Sequence, residues 1–354
     1  MSDLPVASID EQIDLLVQSS DISTGATLIK EMLRTALRLG QDDLSTLDLK
    51  IANSALKEMR EAFLMFTPYV NRKKVTIFGS ARTTKDDPVY RQTEQVAARM
   101  AEQNWMVVTG AGPGIMEAGM AGAGRDRSIG VSIRLPFETS ANPIIAGDDK
   151  HVSMKYFFTR KLMLVKESHA FIYMPGGFGT LDEMFELLTL AQTGKSTPAP
   201  IVLLDLPHDH FWHRIDEFII DQLVPRKLVS GSDRAFYHLS KSVDDAVNEI
   251  CGFYSNYESM RQVGKYLVIR HRLPITDEQI RELNRDFGHL CSDGLIERSE
   301  ALPVEIVDGD DLDFRRLRFR FIRNNFSDLR RLINRLNSFV PTNLQLSPPP
   351  VAPG

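Results

Sequence analysis

The chain has 354 residues, 43% of them hydrophobic and 25% charged, with a formal net charge of -5. That is an ordinary globular composition with length for two or three domains, and it gives no global pull toward nucleic acid. The two cysteines, Cys251 and Cys291, stand in neither a C-x-x-C nor a zinc spacing, so neither a disulfide framework nor a metal site is expected.

The N-terminal stretch MSDLPVASIDEQIDLL lacks a basic start followed by an apolar core, and no apolar run approaches about 18 residues. The expectation is a cytoplasmic protein without a membrane span. Residues 1–70 read as a helical extension, with Ile13, Leu16, Leu28, Met32, Leu47, Ile51, Leu56 and Phe63 at helical spacing.

From Lys73 the pattern changes to strand alternating with helix. Strands are expected at Val75–Phe78, Trp105–Thr109, Ile129–Ile133, 170–173 and Pro200–Leu204. Helices are expected at Val89–Gln103, with Asp87 as cap and Pro88 at its first position, and at Pro113–Gly122, Met154–Lys166, Phe211–Leu223 and Val243–Phe253. Apolar strands between amphipathic helices imply an α/β domain over 71–255: a Rossmann-like parallel sheet with helices on both faces. Residues 256–340 read as a small α+β appendage of order βαββα, possessing a ferredoxin-like outline without its last strand. Residues 341–354 are proline-rich and expected to be disordered.

Three glycine motifs compete for a phosphate. Gly110-Ala-Gly-Pro-Gly114 follows a strand, but the third position of a dinucleotide fingerprint holds Ile115, and the next strand ends at Arg134 where NAD would need an acid. Gly194-Lys-Ser196 resembles the end of a Walker A loop, but Thr189 stands where its first glycine belongs. The third, Pro175-Gly-Gly-Phe-Gly-Thr-Leu-Asp-Glu183, joins a buried strand to a helix start, a place that presents several N–H groups to one anion. Thr180 and Glu183 also have the form of a capping box, which would give Glu183 a purely structural role.

The segment 175–183 resembles the PGGxGTxxE signature of the LOG ("Lonely guy") family, and Arg160-Lys161 resembles the family's R-K pair. Gly110–Met116 and Phe78-Gly-Ser-Ala81 stand where the family has turns after its second and first strands. The resemblance covers roughly residues 73–225. It implies a phosphoribohydrolase, resembling AMP nucleosidase, acting on AMP or a cytokinin riboside 5′-monophosphate and releasing free base and ribose 5-phosphate. The family's older label, lysine decarboxylase, finds no recognisable pyridoxal-phosphate site here.

On this reading Gly176, Gly177, Phe178, Gly179 and Thr180 hold the 5′-phosphate, and Glu183 stabilises the cation developing at C1′ and handles the attacking water. Arg160 is its catalytic partner by resemblance. Lys161, Glu138 and Thr189 match family substrate contacts, with an exposed lysine and a core hydroxyl as the bland readings of the first and last. Gly110, Gly112, Gly114 and Ser80 complete the expected substrate site. No cofactor is expected.

The expected partners are the purine nucleotide itself and a second copy of the chain, through the helices at 154–166 and 180–193. The alternative is a nucleotide carrier or sensor that binds without cleaving. The alternating Arg316-Leu-Arg-Phe-Arg-Phe321 admits a nucleic-acid strand, a half-buried strand with a solvated face, or a nucleotide effector pocket.

Overall fold

Strands with nothing but buried residues and helices with one apolar stripe leave one way to cover both: a parallel sheet between helical layers. The computed structural model describes residues 8–135 and 141–341. The chain divides into two units, Met1–Arg60 and Glu61–Gly354.

In the first unit, α1 (Ile9–Gln18) opens on a capping box formed by Ser8 and Glu11. Lys30–Asp14 and Arg34–Asp10 ion pairs join it to α2 (Ala26–Gln41). Helix α3 spans Thr46–Phe66. Many apolar positions of this segment, including Leu15, Leu28 and Leu47, are exposed.

The second unit holds β1 (Lys74–Phe78), α4 (Pro88–Glu102), β2 (Met106–Thr109), α5 (Ile115–Ala123), β3 (Ser128–Ile133) and β4 (His151–Met154). It continues with α6 (Phe157–Lys166), β5 (Ala170–Tyr173), α7 (Phe178–Thr193), β6 (Ile201–Leu204), α8 (Phe211–Phe218), β7 (His238–Ser240) and α9 (Val243–Phe253). The strands form one parallel seven-stranded sheet of order β4-β3-β2-β1-β5-β6-β7. The fold is Rossmann-like α/β. Asp87 caps α4 through the Val89 N–H with Pro88 at the first position, as its sequence predicts.

Two short strands, β4 and β7, escape the periodicity. The segment 154–166 was expected to be all helix, but Met154 closes β4 and the helix starts only at Phe157. Strands of three or four residues carry too few alternations to register.

The remaining elements are β8 (Tyr257–Val263), β9 (Tyr266–His271), α10 (Asp277–Phe287), β10 (Glu297–Ser299), α11 (Pro303–Asp308), β11 (Arg315–Phe319) and α12 (Phe326–Ser338). The ferredoxin-like outline is corrected here. The four strands run β10-β11-β9-β8 with every neighbour antiparallel, and β8 forms a hairpin with β9 that the βαββα reading omitted. β8 reads YESMRQV, too polar to stand out as a buried strand. One continuous apolar core joins the two sheets, from Val75 and Ile172 through Ile250 and Phe253 to Ile269, Leu317 and Leu332. Each fully buried aliphatic side chain in it contributes about 1.5–3 kcal/mol.

Candidate active site

The C-terminal ends of β1, β2, β3 and β5 open on a cavity of about 880 Å³. In an open parallel sheet this is where turns and helix starts gather their N–H groups. Helix α7 starts at Phe178 with Gly177 as N-cap, and the first backbone bond runs from the Leu181 N–H to the Gly177 carbonyl at 3.0 Å. The N–H groups of residues 178–180 precede that bond and face the cavity end of the helix.

The capping box expected at Thr180 is not formed. Thr180 lies in the first turn rather than at the cap, and no side chain caps α7. Thr180 is instead buried against Gly176, where a Cβ would meet its hydroxyl oxygen at 2.2 Å. Gly176 is thus required by packing. At Gly177 and Gly179 an added Cβ would meet nothing within 4 Å, and these two line the cavity with Phe178 and Thr180.

Glu183 follows five residues after the helix start, roughly 7 Å along the axis. It is buried, its Oε2 has no hydrogen-bond partner among the described residues, and it lines the same cavity. Burial raises its pKa to about 7, against the opposing pull of the Arg160 and Lys161 cations. Behind it, the buried Tyr173 donates its hydroxyl to the Glu183 carbonyl at 3.1 Å, which pins this turn of α7 to the end of β5.

Arg160 reaches the cavity from α6. Its Nε donates to the Val131 carbonyl at 3.0 Å, and its guanidinium lies where a Cβ on Gly110 would be, 2.0 Å from Nη2. Gly110 is therefore a glycine because Arg160 crosses it. The turn after β2 holds Ala111 in the left-handed region at φ 57°, a conformation rare for a residue with a Cβ. Asn142 fixes it: its N–H donates to the Ala111 carbonyl at 2.8 Å, and its Nδ2 to the Gly112 carbonyl at 3.2 Å. Gly114, at φ 68°, lies so close to the turn after β1 that a Cβ would be 2.4 Å from the Ser80 carbonyl.

Of the residues singled out in the sequence, the structure brings Ser80, Gly110, Gly112, Arg160, Gly177, Phe178, Gly179, Thr180 and Glu183 onto one cavity wall. Gly114 and Gly176 support it by close packing. Lys161 and Thr189 are not on it. Lys161 points to the other side of α6, into ion pairs with Asp182 at 2.8 Å and Glu186 at 2.6 Å, and Thr189 bonds back to the Phe185 carbonyl. A one-residue step along a helix turns a side chain by about 100°, so an adjacent Arg-Lys pair cannot both face one pocket. Glu138 lies outside the described residues, as does the proline-rich tail beyond Pro341.

Sequence reasoning missed Arg82, Ser132, Arg134, His151 and Ser153, which also line the cavity. None sits in a motif; the parallel register of β3 on β4 brings four of them together. Among the described residues no group of three or more His, Cys, Asp or Glu could hold a metal, and no helix is long and apolar enough to cross a membrane.

A family model described as "Possible lysine decarboxylase" matches residues 113–250. A cytokinin riboside 5′-monophosphate phosphoribohydrolase of Arabidopsis thaliana is 31% identical over 101 residues, covering 28% of this chain and 46% of that protein. A probable enzyme of the same description from Oryza sativa subsp. japonica is 40% identical over 75 residues, 21% of this chain and 34% of that one. A further Arabidopsis thaliana enzyme is 26% identical over 184 residues, 50% of this chain and 81% of its own length. In the first two the matched part spans less than half of the relative. Among solved structures, the molybdenum cofactor carrier protein of Chlamydomonas reinhardtii aligns at 18% identity and a TM-score of 0.36, over 50% of this chain and 94% of that one.

Proposed function

We propose that the chain is a LOG-family enzyme and that it hydrolyses the N-glycosidic bond of a purine nucleoside 5′-monophosphate, AMP or a cytokinin riboside monophosphate, to free base and ribose 5-phosphate. The observation that carries the reading is the shared cavity: an uncapped helix start flanked by open glycines, with a buried carboxylate roughly 7 Å along the same helix.

The N–H groups of residues 178–180 bind the 5′-phosphate, helped by the positive end of the helix dipole. The ribose then extends along α7 toward Glu183. The bond from C1′ to the base nitrogen breaks with its electron pair going to the base, and C1′ gains oxocarbenium character. The ionised Glu183 stabilises that cation and accepts a proton from the attacking water, whose oxygen bonds to C1′. The leaving base takes up a proton from solvent, and Glu183 releases the one it accepted, so that one water is consumed per bond cleaved. A carboxylate held near pH 7 is well suited to this task, being ionised in a large fraction of molecules yet basic enough to take the proton. Arg160 fixes the ribose hydroxyls or phosphate oxygens and lowers the cost of ionising Glu183.

Incubation with AMP followed by chromatography tests the reading. Adenine and ribose 5-phosphate should form in equal amounts, and adenosine should react far more slowly, since binding at the remote phosphate positions the reacting centre. Release of no base from AMP or a cytokinin riboside monophosphate would overturn it.

A further inference from the structure

The cavity does not end at Arg160. Past it, at the β3–β4 edge, the Ser132 hydroxyl and the His151 Nε2 lie 2.9 Å apart, and both face the cavity. Ser153 stands opposite Ser132 in the strand register, and Arg134 Nη2 donates to the Ser153 carbonyl at 3.2 Å. Burial lowers the pKa of His151, so the ring is neutral near pH 7 and offers one donor and one acceptor nitrogen. Its bond to Ser132 uses one of them. The Ser132 hydroxyl also donates to the Val152 carbonyl at 3.5 Å, a long bond, which leaves its remaining lone pair and the other imidazole nitrogen for a ligand.

Distance along the sheet decides what that ligand part is. The phosphate loop follows β5, and Ser132 is on β3, three strands away, or roughly 14 Å at the usual strand spacing. A nucleotide anchored by its phosphate at α7, with its ribose at Glu183, places its base across the ends of β1 and β2 and presents the base's far edge to β3. A side wall of hydroxyls, a neutral imidazole and a guanidinium suits hydrogen-bonding groups; an alkyl chain there would leave them unpaired.

We propose that Ser132 and His151 form the subsite that reads the far edge of the nucleobase, so that a base with a bare amino or oxo edge is preferred over one carrying an apolar tail. This rests on the hydrolase reading for the placement of phosphate and ribose.

The test measures binding in the Glu183→Gln protein, in which turnover should be slowed at least about 10²-fold with affinity retained, with and without His151→Phe. Calorimetric titration should show AMP binding weakened at least ten-fold by His151→Phe, and ribose 5-phosphate, which lacks the base, unchanged within two-fold. His151→Gln, which keeps hydrogen-bonding capacity, should recover part of the loss. On the otherwise unaltered enzyme, kcat/KM should favour AMP over its N6-isopentenyl derivative, and His151→Phe should narrow that ratio at least ten-fold, chiefly through KM. Should His151→Phe fail to fold, Ser132→Ala removes the paired hydroxyl with a smaller change of volume and must show the same split. Equal weakening of AMP and ribose 5-phosphate, no weakening of either, or preference for the isopentenyl substrate would overturn the proposal. Absence of base release from every nucleotide would instead sink the hydrolase reading, and the binding comparison would still decide this one.

Discussion

At the scale of single residues, Glu183 carries two opposing demands. Its pKa of about 7 in the folded chain, against 4.5 for a free side chain, means that the folded state binds more protons between these values. Its contribution to stability is full below about 4.5, falls as pH rises toward 7, and stays low above it. Glu183→Gln removes the ionisation and should raise the melting temperature at pH 8, by about 1–3 kcal/mol of stability, while leaving it nearly unchanged at pH 5. The same substitution should lower kcat by at least about 10²-fold with AMP affinity retained. A variant that is no more stable at alkaline pH and keeps its turnover would remove both arguments. In the parent, kcat/KM should rise with pH through a midpoint near 7, because the proton acceptor must be ionised.

Gly110 gives a second residue-scale prediction. The methyl of Gly110→Ala would displace the Arg160 guanidinium, the mobile end of a long side chain, along with the Met116 sulfur at 2.6 Å. Thermal stability should change by less than about 1 kcal/mol, whereas misplacing the guanidinium should reduce kcat about ten-fold or more. Equal activity in a correctly folded Gly110→Ala protein would show that Arg160 is not needed where it stands.

At the scale of elements, the start of α7 separates two kinds of glycine. Gly176→Ala drives a Cβ into the buried Thr180 side chain and should cost about 1–3 kcal/mol, because the first turn of the helix is held on both sides. Gly179→Ala meets open space and replaces a helical glycine, so stability should hold or rise by about 0.5–1 kcal/mol. Yet on the proposed reading that methyl stands where the phosphate approaches the N–H groups, so AMP affinity should fall. Melting curves and AMP titrations on the two variants should give opposite patterns, and matching patterns would contradict the division.

The appendage follows a different rule. Most of its arginines are neutralised on the spot: the buried Arg270 and Arg316 converge on Glu305, with Arg270 at 2.6 Å and Arg316 at 3.3 Å. Arg330 meets Glu249 at 2.7 Å, Arg318 meets Glu297 at 2.8 Å, and Arg320 meets Asp293. The alternation of 316–321 is thus a strand with one side in the core and its charges paired, which leaves little net positive field for nucleic acid. Removing the shared acid should be costly, since two guanidinium groups stay buried. Glu305→Gln should lose about 3 kcal/mol in denaturant titration while AMP turnover persists.

At the scale of the whole molecule, α6 and α7 leave an apolar face uncovered. Phe158 is 53% exposed, Leu162 44% and Phe185 38%, beside the Lys161–Glu186 pair. Apolar groups of this size gathered at one place favour a partner surface over water. We propose a second copy of the chain there, in a dimer at least. Light scattering at micromolar concentration should give at least twice the chain mass, and Phe158→Asp with Leu162→Asp should halve it. A monomeric parent would end the proposal. Assembly would also bring two candidate sites near a common interface, because Arg160 and Glu183 rise from the same two helices.

Five of the seven parallel strands over 73–253, the helices between them, the start of α4 and the glycine-rich turn before α7 were legible in the amino-acid sequence. Each depends on a local property: apolar periodicity, a capping residue, or backbone that only glycine permits. What local signals left open was decided by packing. Thr180 and Glu183 spell a capping box in one dimension, but Gly177 starts the helix because Thr180 fits against Gly176, and Glu183 then turns inward. Arg160 and Lys161 are adjacent in sequence and separated by the helix: one crosses Gly110 into the cavity, the other pairs on the far side. Ser132 and His151 stand nineteen positions apart and meet only through the pairing of β3 with β4, a long-range contact to which no local periodicity points. The sequence by itself determined most of the elements and the glycine-rich turn before α7, because those are set by neighbours along the chain. Tertiary structure alone decided which side chains share the cavity, since that depends on helix phase, strand register and the desolvation that burial imposes on a carboxylate.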